Sequence, residues 1–455
     1  MAPVTDFAVK DTYPYLEGFG NYHSSEALQG AIPVANNTPV KPPYGLRTER
    51  LSGTSFVAPR NLMLQTFMYR VAPSLDHDPF EPLDAQPPKV PDFISPNSYL
   101  WPQLPSDPTA DWISAQKLLA RNGDPMGKDG LAIWTWSVSQ DMEPRTAFCS
   151  IDGDVLIIPQ AGSLDIQTEL GKLLVRQNEI ALIPRGIRHR VTLPAGPARG
   201  YICELFHGHF RLPELGPVGS TGLANTRDFQ IPVAYFDGSV EDGVAISNDV
   251  GTKHTIVTRQ NGRLWHCEQT HTPFDVVAWH GTNYPSKYDL ARFCVMGNLL
   301  FDEHDPCLYT VLTAPSHGEP GNSVVDFAII PPRWMVTENT FRLPYYHRNT
   351  MCEFFAPIIN SQDIDYPFNG GADFKPLGAG LHGSNVIHGP TEKSFQEARE
   401  GSNDLEKVDN LGITIFLLET EKPLYLSDRA AKLAAEASTK AAAKARSRVP
   451  KNNKL

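Results

Sequence analysis

Two segments towards the C-terminal end of the sequence carry the residue types best suited to chemistry. Residues 344–355 read Pro-Tyr-Tyr-His347-Arg-Asn-Thr-Met-Cys-Glu353-Phe-Phe, and residues 376–390 read Pro-Leu-Gly-Ala-Gly-Leu-His382-Gly-Ser-Asn-Val-Ile-His388-Gly-Pro. Two imidazoles and one carboxylate from such segments can occupy one face of a metal ion and leave the other face open for a chelating substrate and O2. Neutral nitrogen and hard oxygen donors suit Fe(II) or Mn(II). Structural zinc is disfavoured, because such sites draw on thiolates and Cys352 is the one thiol in either segment. Spacing alone does not decide this, since a His and a Glu so placed are common by chance.

Such donors need rigid elements to hold them, and the sequence offers strands. From about residue 130 it breaks into short β-branched or aromatic runs punctuated by Gly, Pro or Asp: 131–138, 154–160, 163–170, 172–177 and 179–185. A second series covers 274–280, 293–301, 307–313 and 324–330. The 40 prolines and 34 glycines are spread along the chain rather than gathered in repeats, which suits many short strands joined by tight turns. The one strongly Pro-rich stretch, 78–108, reads as an extended ordered loop across a domain surface, or else as a linker. Residues 427–455 are Ala-rich and basic, a good helix former with almost no apolar stripe and hence an expected surface tail.

Pro184-Arg185-Gly186-Ile187-Arg188-His189 matches P-x-G-x-x-H, the turn of the second conserved motif of cupin β-barrels. A metal site there also needs an upstream His-x-His, and Asp152-Gly153-Asp154 stands in its place. His189 is therefore read as a hydrogen-bonded core or rim histidine of a barrel without metal. The strand pattern and this turn point to a mainly β fold whose first half holds a barrel without metal.

Coarse properties bound the class. A chain of 455 residues exceeds one ordinary core. Its formal net charge of −11 argues against a nucleic-acid surface. No apolar run reaches the roughly 18 residues of a bilayer span, and the N-terminus lacks a basic region followed by an apolar one. The six cysteines are scattered and never form C-x-x-C, which reads as reduced, mostly buried thiols. A soluble, cytoplasmic protein is expected. The chain ends Asn453-Lys454-Leu455, one residue from the peroxisomal Ser-Lys-Leu address, so a peroxisomal location is the alternative.

The sequence resembles the homogentisate 1,2-dioxygenase family along nearly its whole length. The matching stretches include Leu16–Asn21, Leu51–Phe56, Tyr69-Arg70 before Pro73-Ser74, Ser150–Asp154, Leu215–Pro217, Gly222–Asn225 and Arg227–Phe229. They continue with Phe274–Val277, Trp279–Gly281, Pro331–Trp334 and, most densely, Tyr345–Asn349 with Glu353. The resemblance implies Fe(II) held by His347, Glu353 and His388, a second active-site histidine at His382, and substrate contacts from Tyr346 and Tyr366. It also implies a small aromatic substrate and O2, a trimer-based hexamer, and a two-domain cupin-like architecture: a metal-free N-terminal β-domain over 1–290, an iron-binding C-terminal barrel over 291–426, and the tail over 427–455.

The sequence departs from the family pattern near the substrate. The family's base histidine directly follows Phe-Asp; here Phe301-Asp302-Glu303-His304 sets it one residue late, which on a strand turns it to the other face. Either a bulge returns His304 to the site as the base, or Glu303 takes its place. From Ile358 to Gly371 there is no Lys or Arg, where the family offers cations to the substrate's acetate. Ile387 replaces the proline that usually precedes the third ligand, a minor change. The expected substrate is a para-hydroquinone: homogentisate, or an uncharged relative such as methoxyhydroquinone, towards which the missing cation tilts the reading. The competing readings are a catalytically silent cupin-like binding or assembly protein, a cupin isomerase, and a manganese dioxygenase.

Overall fold

A computed structural model describes residues 29–52, 55, 57–59, 65–71, 95–101, 104–105, 109–214, 222–233, 235, 237–241, 244–249, 251–270, 272–275, 283–293, 296–297, 308–335, 339, 341, 345–359, 377–402, 404, 406–408 and 414–437. The molecule is mainly β. Among the described residues, a first body stacks a seven-stranded sheet on a six-stranded one, and a second body's six-stranded sheet packs against the far side of the seven-stranded sheet.

This layering explains the apolar runs. Strand Asp129–Val138 lies inside the seven-stranded sheet, between Lys117–Asp124 and Ala198–Leu205. Ala132, Trp134 and Trp136 face one core, with Leu164, Ile166 and Val191 of the opposing sheet. Leu131 and Ile133 face the other, shared with Val325, Phe327, Phe354 and Phe416 of the second body. A strand covered on both faces reads as a continuous apolar run. Strand Gly171–Arg176, at a sheet edge, alternates instead: Leu173 and Val175 are buried while Lys172 and Leu174 are exposed.

The second body's sheet has the order Tyr309–Pro315, Ser323–Ile330, Thr414–Thr420, Cys352–Ile359, Ala379–His382, Tyr99–Trp101. Polar bonds tie the bodies together: Tyr201 Oη donates to Gly378 O at 2.8 Å, and Gln160 Nε2 donates to Pro357 O at 2.9 Å. The backbones of Arg211 and Thr313 exchange two bonds of 2.8 Å.

Two expectations need correction. Part of the Pro-rich stretch 78–108 is not a surface loop: Tyr99–Trp101 is a strand of the second sheet, and Trp101 and Leu104 are buried in the core. Residues 78–94 lie outside the described residues. Within the expected surface tail, residues 428–437 form a helix that buries Ala430 and Ala434. Its backbone accepts a 2.8 Å bond from Trp101 Nε1 at Ala430 O. Leu433 packs beside them, and alanines four apart make a narrow stripe that lets a helix sit close, so a weak apolar pattern did not mean absence of a buried face.

Of the second series, 309–315 and 323–330 are strands, 296–297 is a two-residue strand, and most of 274–280 and 293–301 lies outside the described residues. Cys149, Cys203 and Cys352 are buried free thiols and Cys267 is exposed; Cys294 and Cys307 lie outside the described residues. No helix among the described residues is long and apolar enough to cross a membrane.

In the first body, both nitrogens of the buried His189 ring have partners: Trp112 Nε1 donates to Nε2 at 3.2 Å and Nδ1 faces Ile187 O at 3.3 Å. Asp152 accepts from the backbone of Asn261 and Gly262. Asp154 pairs with Arg185 and His209.

Candidate metal centre

The second sheet shows how the candidate residues converge. On strand Cys352–Ile359, Cys352, Phe354, Ala356 and Ile358 face the first body. Glu353 and Phe355 therefore lie on the outer face, and Cys352 is kept away from the site. Glu353 stands in register with His382 on one side and Glu419 on the other. Glu419 is in register with Asp326, so the row is buried and polar throughout. Burial pushes the Asp326 carboxyl up to about 6.

His347 arrives on strand Tyr346–Asn349, which runs parallel to Arg47–Ser52. His388 follows a turn after Ala379–His382, in which Asn385 takes the left-handed region at φ 57. That turn is stapled to the bend that follows His347: Asn385 N donates to Asn349 O and Ser384 Oγ donates to Thr350 O, each at 2.7 Å. His347 and His388 then pair backbone to backbone.

The three side chains meet in a buried group whose donor atoms all lie within 4.8 Å of one another. His347 Nδ1 sits 2.6 Å from Tyr345 O, and His388 Nδ1 sits 2.8 Å from Val386 O. Each Nδ1–H thus donates to the carbonyl two residues back, which turns Nε2 towards the centre, the usual way a protein orients a ligating imidazole. Glu353 Oε2 is 2.8 Å from His388 Nε2, and Oε1 is 3.6 Å from His347 Nε2. Burial alone would raise the Glu353 carboxyl; His388 and His347 overcome it and hold the group well below the usual carboxylate range. Two oriented nitrogens and an ionised carboxylate, sealed from solvent, fit a divalent metal.

The structure also places His382 at the centre. Its ring stacks on His388 at 4.0 Å and on Phe355 at 5.0 Å, and its Nδ1 lies 2.8 Å from Ser98 Oγ. Burial, with His388 beside it, keeps this imidazole well below its ordinary range and so neutral. Tyr346 is not brought into the site. It alternates with His347 on its strand and packs with Phe341, Tyr345 and Phe395, behind the ligand strand. Arg348 shares that outward face, 3.3 Å from Glu49. His304, Glu303 and Tyr366 lie outside the described residues.

Three residues at the centre escaped the sequence reading. Asn349 donates through Nδ2 to Glu353 Oε1, and its place two residues after His347 on one strand was a usable signal. Ser98 reaches His382 from a distant segment that no local pattern links to it. Arg50 is buried, in register with His347, with its guanidinium 5.5 Å above the Tyr345 ring.

A family model described as "Homogentisate 1,2-dioxygenase N-terminal" matches residues 14–290, and one described as "Homogentisate 1,2-dioxygenase C-terminal" matches residues 291–445. The chain belongs to the homogentisate 1,2-dioxygenase family. It is 48% identical over 432 residues to the homogentisate 1,2-dioxygenase of Emericella nidulans, covering 94% of this chain and 93% of that one. It is 44% identical to the enzyme of that name from Pseudomonas putida, with 91% and 92% covered, and 41% identical to that of Dictyostelium discoideum, with 92% and 94% covered. Among solved structures, the nickel(II)-bound pirin YhhW of Escherichia coli is 10% identical, with 64% of this chain and 82% of that one covered at a TM-score of 0.26. A TM-score that low says nothing further about this homogentisate 1,2-dioxygenase family member.

Proposed function

We propose that this member of the homogentisate 1,2-dioxygenase family is a non-haem Fe(II) enzyme that opens a para-dihydroxybenzene ring with O2. The observation that carries the reading is the buried His347–Glu353–His388 group, with both imidazoles turned inward by their Nδ1 bonds. Bound there, Fe(II) supplies a Lewis-acidic, redox-active centre with an open face. The chain's own residues do the rest. His347, Glu353 and His388 hold the ion. Phe355 and the neutral His382 wall one side and keep water out. His304 is the residue assigned to take the ring hydroxyl's proton. In this reading residues 1–290 form the metal-free scaffold and 291–426 the catalytic unit, each lending strands to the other.

Two substrates compete. The lack of Lys and Arg from Ile358 to Gly371 favours an uncharged ring such as methoxyhydroquinone, because a carboxylate in a closed pocket needs a cationic partner. The relatives' name, and the buried Arg50 beside His347, favour homogentisate. Oxygen uptake by Fe(II)-loaded protein against both compounds tests the function and chooses the substrate. No uptake with any para-hydroquinone removes the reading.

The proposal extends to a trimer-based hexamer in the cytosol. Edge strand Arg263–Gln269, with Leu264 51% and Trp265 57% exposed, supports burial against another copy. Light scattering checks the assembly. A fluorescent fusion ending Asn453-Lys454-Leu455 checks the compartment, puncta being the peroxisomal outcome.

A further inference from the structure

We propose that Asn349 is a positioning residue that decides which oxygen of Glu353 faces the metal, and so keeps that carboxylate to a single point of attachment. The inference rests on the metal-centre reading above and deepens it.

Strand alternation puts Asn349 on the same face as His347. It is 2% exposed, and its backbone is pinned by the 2.7 Å bond from Asn385 N to Asn349 O. The same turn carries the chain on to His388, so the amide is fixed to the frame that holds two of the three ligands. Its Nδ2 donates to Glu353 Oε1. The reverse amide orientation would set a carbonyl oxygen against a carboxylate oxygen, both of them acceptors, so the chemistry itself fixes which end faces Glu353.

The two carboxylate oxygens are therefore unequal. Oε1 receives the amide, while Oε2 points to His388 Nε2 at 2.8 Å. A metal that takes the lone pairs of the two Nε2 atoms ends their contact with Glu353. The Asn349 amide stays as a donor on Oε1 and leaves Oε2 as the free ligand atom. The consequence is one of counting: three ligand atoms on one face leave room for a chelating hydroquinone and O2 together, whereas a carboxylate bound through both oxygens would take a position from one of them.

Asn349 Oδ1 adds an independent sign. It is buried and has no hydrogen-bond donor among the described residues. An unpaired buried acceptor is destabilising, and a residue kept for packing alone would not need one.

The test compares Asn349→Leu, which keeps volume and removes the donor, and Asn349→Ala with the parent protein. Co(II) affinity is measured by chelator competition, the visible spectrum of the Co(II) protein reports coordination, and melting of the metal-free protein reports folding. Loss of an outer partner of a metal ligand commonly weakens affinity about 10- to 100-fold. That loss is expected in both variants, together with a changed Co(II) spectrum and an unchanged metal-free melting temperature. Co(II) binding within twofold of the parent with the same spectrum would overturn the proposal. So would a loss of affinity that comes with a lowered metal-free melting temperature, because the role would then be structural. A parent protein that binds no Co(II) removes the metal-centre reading and this proposal with it. A parent that binds Co(II) but opens no ring removes only the functional reading.

Discussion

His347 and His388 exchange both of their backbone hydrogen bonds, His347 N to His388 O at 2.9 Å and His388 N to His347 O at 3.0 Å. The bridge sets the two imidazoles 4.1 Å apart between ring centres before any metal is considered. It depends on the residue that follows His388. A Cβ added at Gly389 would lie 2.8 Å from the Tyr346 backbone and 2.6 Å from its ring. Gly389→Ala should therefore force the two ligand segments apart, costing about 1–3 kcal/mol in stability and lowering metal affinity more than tenfold. Thermal melting and metal titration measure the two effects, and a variant that melts and binds like the parent would show the bridge to be pliable.

Replacing His347, Glu353 or His388 by Ala should lower bound iron and abolish oxygen uptake. Removing Glu353 also leaves two buried imidazoles without their carboxylate. Iron analysis and an oxygen electrode check this; full activity in Glu353→Ala would end the assignment.

The first body should respond to acid through His189. Burial, with Arg259 nearby, lowers this imidazole from 6.5 to about 4. The unfolded chain then holds the extra proton between those values, so the native state loses stability as pH falls from about 6.5 through 4. The loss is on the order of 3 kcal/mol once pH is below both values. His189→Gln, which keeps an acceptor for Trp112, should flatten that part of the melting-temperature profile. An unchanged slope would place the acid sensitivity elsewhere.

Substrate preference follows from charge. The cation-free stretch from Ile358 to Gly371 predicts a kcat/KM for methoxyhydroquinone more than tenfold above that for homogentisate, since an ion pair lost from a closed site is worth roughly 2–5 kcal/mol. Ile359→Arg should narrow the gap by improving homogentisate turnover. Equal or better turnover of homogentisate by the parent would contradict the prediction and turn attention to Arg50.

Much of this was legible in the sequence, for local reasons. Strands 129–138 and 154–161 announce themselves because both faces of their sheet are covered, and the residues at His347, Glu353 and His388 carry their chemistry in their types. What stayed hidden depends on partners far along the chain. Tyr99–Trp101 pairs beside His382, and Arg47–Ser52 pairs beside His347; short strands in Pro-rich or polar surroundings do not state whom they join. The packing of Tyr346 with Phe341 and Phe395 was not visible either, because matching a motif gives a position in the chain and not a face of the strand. The buried Ala430 and Ala434 were missed because a stripe of alanines looks like propensity alone.

The most direct test of the central claim is oxygen-isotope incorporation by Fe(II)-loaded protein turning over a para-hydroquinone under 18O2. The account predicts one O2 consumed per ring opened, both labelled atoms in the ring-opened product, and no product from Glu353→Ala. Ring opening that proceeds equally well in metal-free protein, or a product carrying fewer than two labelled atoms once exchange with water is controlled, would contradict it.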